Sequence, residues 1–191
     1  MNIFNKKLIL ASQSPRRKQL LAEAGFEFEI LSKEVDESYP DDMDVNDVPE
    51  YLAVKKASES LAQLTDNETI IIASDCVVIL DGKIYGKPTD HADACSILKK
   101  LSGKTHKVVT GVCLLSREKS VTFKGVSKVH FEKISEEEIE YYVSKYKPFD
   151  KAGAYAIQEW IGLCKISKIE GTYSNIMGLP MDLVYKNLKA F

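Results

Sequence analysis

The run TIIIASDCVVIL, residues 69–80, limits the fold of this chain more than any other segment. Its β-branched and apolar residues leave no polar face, which predicts a strand that is buried on both sides of a sheet. Asp75 interrupts the run, and a carboxylate in a buried strand is costly unless it is paired or binds a metal. Alternatively, Asp75 ends the strand and caps a turn. The apolar residues Val77, Val78 and Ile79 continue beyond it and favour a functional carboxylate.

Strand-like and helix-like segments mix along the rest of the chain without a strict β–α–β rhythm. Helix starts are predicted at Ser14–Pro15, Asp47–Pro49, Asp90, the capping box Ser135–Glu138 and the final segment LPMDLVYKNLKAF. Strands are predicted at LILA, FEFEIL, IYGKP after the hairpin turn DGK, HKVVTGVCLLS, SVTFKGVSKVHFEKI and WIGLCKISKIEG. This mixture predicts an α/β protein with a mixed sheet and flanking helices, and 191 residues suit one large domain or two small lobes.

The composition argues against several classes of protein. The formal net charge is −2, so no overall field draws the chain to nucleic acid or to an anionic membrane. No apolar run approaches the roughly 18 residues of a transmembrane helix. The apolar stretch near the N-terminus spans about four residues, fewer than the roughly 7–15 of a signal peptide. Anion binding therefore has to come from a local group of cations.

The four cysteines form no CxxC pair, and no cysteine–histidine cluster is visible in the sequence. This pattern argues against a zinc site. It favours reduced thiols in the core of a cytoplasmic protein. A cysteine nucleophile would need Cys76 beside His91, His106 or His130, and nothing in the sequence links them. A serine hydrolase is disfavoured as well, because the chain has no GxSxG elbow.

Two serines and two arginines surround a predicted helix start in the segment SQSPRR. The helix dipole disfavours cations there, at a cost of about 0.3–1 kcal/mol for each exposed side chain. That cost is explained if Ser12, Ser14, Arg16, Arg17 and the helix amides bind one phosphate group. The alternative is a capping serine followed by two solvated arginines. The segment is not a Walker A loop, whose glycines and lysine are missing.

The segment VDE, residues 35–37, places two carboxylates directly after a predicted strand. Paired carboxylates suit a hard cation such as Mg²⁺, although an acidic solvated loop is the alternative. Lys56 and Lys87 are further candidates for phosphate contact. Gln158 carries both a donor and an acceptor, as a residue that reads the edge of a base requires.

The chain resembles the Maf family, named for septum-formation inhibition, whose members are nucleoside triphosphate pyrophosphatases. The resemblance spans nearly the whole chain and implies a single domain over residues 1–191. The matching segments, in order, are LASQSPRR, VDE, KKA, ASDCVVILDGKIYGKP, LSGKTHKVVTGV, DKAGAYAIQ and IEGTYSNIMGLP. The implied fold is an elongated, curved mixed sheet with two lobes around a cleft, similar to that of the inosine triphosphate pyrophosphatases.

The resemblance also implies an activity and roles for particular residues. Members hydrolyse the bond between the α and β phosphates with a divalent metal, Mg²⁺ or Mn²⁺, and often form homodimers. Asp75 matches the catalytic carboxylate and, with Glu37, the metal site. The triphosphate positions match Arg17, Lys56 and Lys87.

Base specificity is also implied by the resemblance. In the branch that acts on dTTP and UTP, the specificity positions match Arg16 and Gln158. A third position is usually threonine, and this chain has Cys76 there. Modified pyrimidine nucleotides are therefore additional candidate substrates. The alternatives are a non-catalytic nucleotide- or nucleic-acid-binding regulator of cell division and a phosphatase that releases orthophosphate.

Overall fold

The computed structural model describes residues 6–31, 33–64 and 66–191, which form seven strands and seven helices. The strands are β1 (Leu8–Leu10), β2 (Glu29–Ile30), β3 (Ile70–Leu80), β4 (Lys83–Tyr85), β5 (Thr105–Leu115), β6 (Ser120–Phe131) and β7 (Ile166–Glu170). The helices are α1 (Pro15–Glu23), α2 (Val48–Leu61), α3 (His91–Leu101), α4 (Glu136–Tyr146), α5 (Trp160–Lys165), α6 (Tyr173–Ile176) and α7 (Met181–Ala190). Among these residues, no helix combines the length and the apolar composition that crossing a bilayer requires.

The strands form one mixed sheet in the order β2-β1-β3-β5-β6-β7, and β4 pairs with β3 outside this path. Strand β1 pairs in parallel with β2 and β3, whereas the β3–β4 and β6–β7 pairs are antiparallel. The α/β class and the mixed sheet with flanking helices are therefore confirmed.

Asp75 is the sixth of the eleven residues of β3, and ten of those residues are buried. The alternative in which Asp75 ends the strand is therefore wrong. The hairpin is confirmed, since β3 and β4 are joined across Asp81 and Gly82, both with positive φ. The capping box of α4 is also present, because Ser135 and Glu138 each bond the other's backbone N–H.

Two strand predictions fail in part. The segment WIGLCKISKIEG begins as helix α5, and only its second half forms β7. In a strand, Ile161 and Leu163 would share a face, but Ile161 is fully buried and Leu163 is 79% exposed. A Cβ at Gly162 would lie 1.8 Å from the Ile157 carbonyl oxygen, so only glycine permits this turn of chain. In FEFEIL, only Glu29 and Ile30 form a strand.

The described chain divides into two compact units. The first contains the residues up to Asp75 together with Thr110–Gly125 and Gly178–Phe191, and the second contains Cys76–Val109 and Val126–Met177. Each unit contains its own cluster of buried apolar residues. The cluster of the first unit includes Ala53, Ala57, Ile71 and Ala73, and that of the second includes Leu98, Leu101, Val129, Ile139, Tyr142 and Ile161.

A buried histidine makes the stability of the second unit depend on pH. His106 is 1% exposed, its Nε2 lies 2.7 Å from the Tyr155 hydroxyl, and its Nδ1 has no partner among the described residues. Burial, and to a lesser extent His130, lowers the pKa of His106 to about 4, compared with about 6.5 in an unfolded chain. Below pH 6.5 the unfolded chain therefore binds a proton that the folded protein excludes.

We expect the free energy of unfolding to fall by about 3 kcal/mol as the pH falls from about 6.5 to 4, because His106 is protonated in the unfolded chain but not in the folded protein. Denaturant unfolding across this range, compared between the wild type and His106→Gln, checks the expectation. The variant should lose this part of the pH dependence, whereas the exposed-site control His91→Asn should keep it. Equal pH slopes in the wild type and His106→Gln would contradict it.

Candidate active site

Two carboxylates and one ammonium meet in the first unit. Lys56 Nζ lies 2.6 Å from Asp75 Oδ1 and 2.7 Å from Glu37 Oε1. The Asp75 residue is only 9% exposed, so its charge is compensated mainly by protein groups rather than by bulk water. These three residues, here called the carboxylate–lysine cluster, come from a strand, a helix and a loop. The sequence selected all three, and the structure brings them together.

Helix α2 positions the loop that carries Glu37. Its adjacent lysines bind adjacent acids, since Lys55 Nζ lies 2.9 Å from Asp36 Oδ2 while Lys56 binds Glu37. Hydrogen bonds from Ser38, together with the Lys55 ammonium, lower the pKa of Asp36 to about 2. Asp36 is therefore ionised at neutral pH and anchors the loop. Lys55 was not predicted as a site residue, although the adjacent pairs KK and DE indicated such double pairing.

The start of α2 is held firmly against other parts of the first unit. A Cβ at Gly111 of β5 would lie 2.2 Å from the carbonyl carbon of Pro49, so the strand approaches the helix as only glycine allows. Asp47 occupies the N-cap position, as predicted, but its side chain makes no capping bond. It binds Lys124 instead, at 2.5 Å, and Lys124 also contacts Glu50 at 3.0 Å.

Arg17 is held by a second group of residues in the first unit. Its Nε donates to the Gly178 carbonyl oxygen at 2.8 Å, and its Nη1 donates to Ser12 Oγ at 3.1 Å. The hydroxyl of Ser74, the residue before Asp75, donates to the same Gly178 carbonyl at 3.0 Å. Gly178 has φ of 102°, which favours glycine. Arg17 is thus oriented by a carbonyl that β3 also contacts.

The remaining residues of the SQSPRR segment differ in their roles. Ser14 occupies the N-cap position of α1 and is followed by proline, as predicted, but its side chain makes no capping bond. Its backbone N–H donates to Ser12 Oγ at 3.2 Å. Arg16 lies in the first turn of α1 and is half-buried. Ser74 and Gly178 were not predicted as site residues, because their contacts join parts of the chain that are far apart.

Three predicted site residues belong to the second unit. Cys76 follows Asp75 in β3 and is half-buried, while Lys87 and Gln158 are exposed on segments outside the strands and helices. A backbone bond joins these segments, since Gly153 N–H donates to the Gly86 carbonyl at 3.0 Å. Their local conformation is therefore mutually supported within that unit.

The second unit also contains a group of potential metal ligands that was not predicted from the sequence. His91 and Cys95 lie one turn apart on α3, and Glu140 of α4 completes a group of potential metal ligands. The interpretation that no cysteine–histidine cluster exists is therefore wrong. The spacing of four residues between His91 and Cys95 in a predicted helix was the signal, because residues i and i+4 share a helix face.

The carboxylate–lysine cluster has donors that fit Mg²⁺ or Mn²⁺. Glu37 and Asp75 supply hard carboxylate oxygens, and both already converge on one cationic group, the Lys56 ammonium. The residues therefore fit the metal that the family resemblance implies.

The relatives of this chain are similar over almost their full length. Proteins named dTTP/UTP pyrophosphatase are 46% identical in Porphyromonas gingivalis, over 100% of this chain and 96% of the relative, and 46% identical in Phocaeicola vulgatus, over 98% and 97%. The dTTP/UTP pyrophosphatase of Flavobacterium psychrophilum is 44% identical over 95% of this chain and 92% of the relative.

Among solved structures, the Staphylococcus aureus Ham1 protein aligns with 66% of this chain and 72% of its own chain, at 15% identity and with a TM-score of 0.48.

The family model described as Maf-like protein matches residues 7–191, a span that contains the carboxylate–lysine cluster and the residues around Arg17. This match and the full-length relatives agree with the motifs found in the sequence. The chain therefore belongs to the Maf family.

Proposed function

We propose that this chain is an enzyme that hydrolyses nucleoside triphosphates, with dTTP and UTP preferred, to a nucleoside monophosphate and pyrophosphate. The observation that carries the proposal is the buried carboxylate of Asp75, placed mid-strand within 2.6 Å of Lys56. A carboxylate is almost never buried in a strand unless it is paired, and the Lys56 ammonium that pairs with Asp75 also binds a second carboxylate, Glu37. The names of the full-length relatives support the same reaction class.

The chemistry needs a base, a water molecule and positive charge around the phosphates. Water adds to the α phosphorus, the bond from that phosphorus to the oxygen shared with the β phosphate breaks, and pyrophosphate leaves. Asp75 orients this water and accepts its proton. A triphosphate carries about four negative charges near neutral pH, and fixed cations lower the cost of the charge that develops during the reaction. Ser12 and Gly178 orient the guanidinium of Arg17. We propose that Arg17 binds the phosphates through bidentate hydrogen bonds.

Glu37 and Asp75 would hold the divalent metal, Mg²⁺ or Mn²⁺. When bound, this ion neutralises phosphate charge and makes phosphorus easier to attack. Lys56 then has two roles, since its ammonium orients both carboxylates and adds positive charge beside the phosphates. The phosphate contact implied for Lys87 stays a prediction, as do contacts from Ser12 and Ser14.

Arg16, Cys76 and Gln158 are proposed to set the base preference. Uracil and thymine present an acceptor, a donor and a second acceptor, and a glutamine amide can pair with part of this edge. A site whose polar groups stay unpaired with the wrong base discriminates strongly. A thiol is a weaker hydrogen-bond partner than the usual threonine hydroxyl, so Cys76 is expected to relax the selectivity toward modified pyrimidines.

The test is a panel of ordinary and modified nucleoside triphosphates, assayed for pyrophosphate and for orthophosphate. We expect one pyrophosphate per nucleotide, kcat/KM highest for pyrimidine nucleotides, and a sharper dTTP/UTP preference in Cys76→Thr. Orthophosphate as the first product would contradict the reaction class. Nucleotide binding without any product would instead favour the non-catalytic regulator. A guanine nucleotide ranking above both dTTP and UTP would contradict the specificity alone.

Two further properties belong to the proposal. A cytoplasmic location follows from the substrate, because nucleoside triphosphates are metabolites of that compartment. The homodimer that the family resemblance implies stays a prediction.

A further inference from the structure

A group of three potential metal ligands lies in the second unit, outside the residues assigned to nucleotide hydrolysis. His91 and Cys95 are on α3, Glu140 is on α4, and one ligand atom of each lies within 4.8 Å of the others. The nearest pairs are His91 Nε2 to Glu140 Oε1 at 3.1 Å, His91 Nδ1 to Cys95 Sγ at 3.7 Å, and Cys95 Sγ to Glu140 Oε2 at 3.9 Å.

The first two separations involve different nitrogens of the imidazole, and one atom from each residue lies within 4.8 Å of the others, somewhat more than around a tetrahedral zinc ion. Bonds of about 2.0–2.3 Å place adjacent ligand atoms roughly 3.3–3.8 Å apart. The imidazole supplies only one nitrogen to an ion, so side-chain shifts of about an ångström complete the geometry. Such shifts are available, because the His91 and Glu140 side chains are 45% and 61% exposed.

The backbone beneath the group is fixed. The α3 N-cap, Asp90, accepts a bond from the Asp93 N–H, and α4 starts with the capping box of Ser135 and Glu138. Both helices contribute to the buried apolar cluster of the second unit, with Leu98 and Leu101 from α3 and Ile139 from α4. The ligands therefore project from a rigid pair of helices rather than from a loop.

We propose that His91, Cys95 and Glu140 form a binding site for Zn²⁺ or a cation of similar softness, which links α3 to α4. One nitrogen, one sulfur and one oxygen are the ligand types that zinc combines, whereas Mg²⁺ prefers oxygen alone. Water completes the coordination in the surrounding surface pocket of about 560 Å³. The inference goes beyond nucleotide hydrolysis and does not depend on it.

Neighbouring residues support the ligands. Ser144 Oγ donates to Glu140 Oε1 at 3.0 Å and so orients the carboxylate, as partners of metal ligands commonly do. Two lysines also line the pocket, but Lys99 pairs with Glu136 at 2.6 Å and Lys100 lies over the Tyr85 ring, 5.7 Å from its centroid. Each ammonium thus has a partner outside the group, although Lys99 also acts electrostatically on the Cys95 thiol.

Metal binding at this site releases a proton. A thiol must lose its proton before its sulfur binds a metal ion. The metal–sulfur bond replaces the S–H bond, and the proton goes to solvent.

Co²⁺ titration of the full-length, reduced and chelator-treated protein tests the site, because cobalt bound to a thiolate gives a sulfur-to-cobalt charge-transfer absorption. We expect this absorption to saturate at one Co²⁺ per chain, to disappear on addition of Zn²⁺ and to persist in excess Mg²⁺. Cys95→Ser should abolish it, and His91→Ala or Glu140→Gln should weaken cobalt binding by at least about 10-fold. Circular dichroism and metal-free thermal unfolding verify that each variant is folded.

Three controls separate this site from other metal binding. Cys164→Ser removes an exposed thiol elsewhere in the second unit, and Asp75→Asn removes a ligand of the proposed magnesium site. Both variants should keep the absorption, because neither supplies a ligand to it. An absorption that survives Cys95→Ser, that is lost in Cys164→Ser or that Mg²⁺ displaces would overturn the proposal, as would its absence from the wild type. Since the readout is absorption rather than turnover, failure here leaves the proposed hydrolase activity intact.

Discussion

Replacing Asp75 with asparagine is expected to lower kcat by about 10²–10⁴-fold, the range that general-base catalysis contributes, and to leave the protein folded. Asparagine keeps the size of the side chain and an oxygen that Lys56 can bind, but it removes the charge needed to accept a proton and to hold a divalent metal. Steady-state pyrophosphate release measures the effect. Circular dichroism and thermal unfolding check that the sheet is unchanged.

Two companion variants make this result specific. Asp182→Asn removes an exposed carboxylate from the first turn of α7 in the same unit and should keep near-normal turnover. Glu37→Gln should increase the Mg²⁺ or Mn²⁺ concentration that half-maximal activity requires, because it removes one proposed ligand while Asp75 remains. Near-normal kcat in a folded Asp75→Asn protein would disprove the catalytic assignment. Full activity after exhaustive chelation would disprove the metal role.

Replacing Arg17 with alanine is expected to lower kcat/KM by about 10–150-fold, since the loss of a hydrogen bond to a charged group costs about 1.5–3 kcal/mol. The guanidinium reaches its position through Gly178 and Ser12, so Arg17→Lys keeps a charge but loses this orientation. We therefore expect lysine to restore only part of the activity. Kinetics with dTTP or UTP, alongside binding of the triphosphate and of the matching nucleoside, provide the measurement.

The binding comparison separates a phosphate contact from a general structural effect. Lys18→Ala removes the next cation of α1 and should have little effect on either ligand. A phosphate contact requires that Arg17→Ala weakens triphosphate binding much more than nucleoside binding. Equal weakening of both would show that the substitution disturbs the fold rather than the phosphates.

Much of the secondary structure was predictable because its signals are local. The apolar run of β3 identified both the strand and the unusual position of Asp75 within it. The α4 capping box and the β3–β4 hairpin likewise depend on residues only a few positions apart. The start of α5 was not predictable in this way, because its apolar residues are typical of a strand. The helix depends instead on the close approach of Gly162 to Ile157.

By itself, the sequence determined which residues are candidates for the site: the serines and arginines of SQSPRR, the acids of VDE, and Lys56 and Asp75. Only the tertiary structure decided how they pair. Lys56 joins two acids, each nineteen positions away, and Arg17 binds a carbonyl 161 positions away. The contact of Cys95 with Glu140 likewise depends on how α3 packs beside α4. Such pairs depend on sheet order and helix packing, because residues remote in sequence become neighbours only when the whole core is buried.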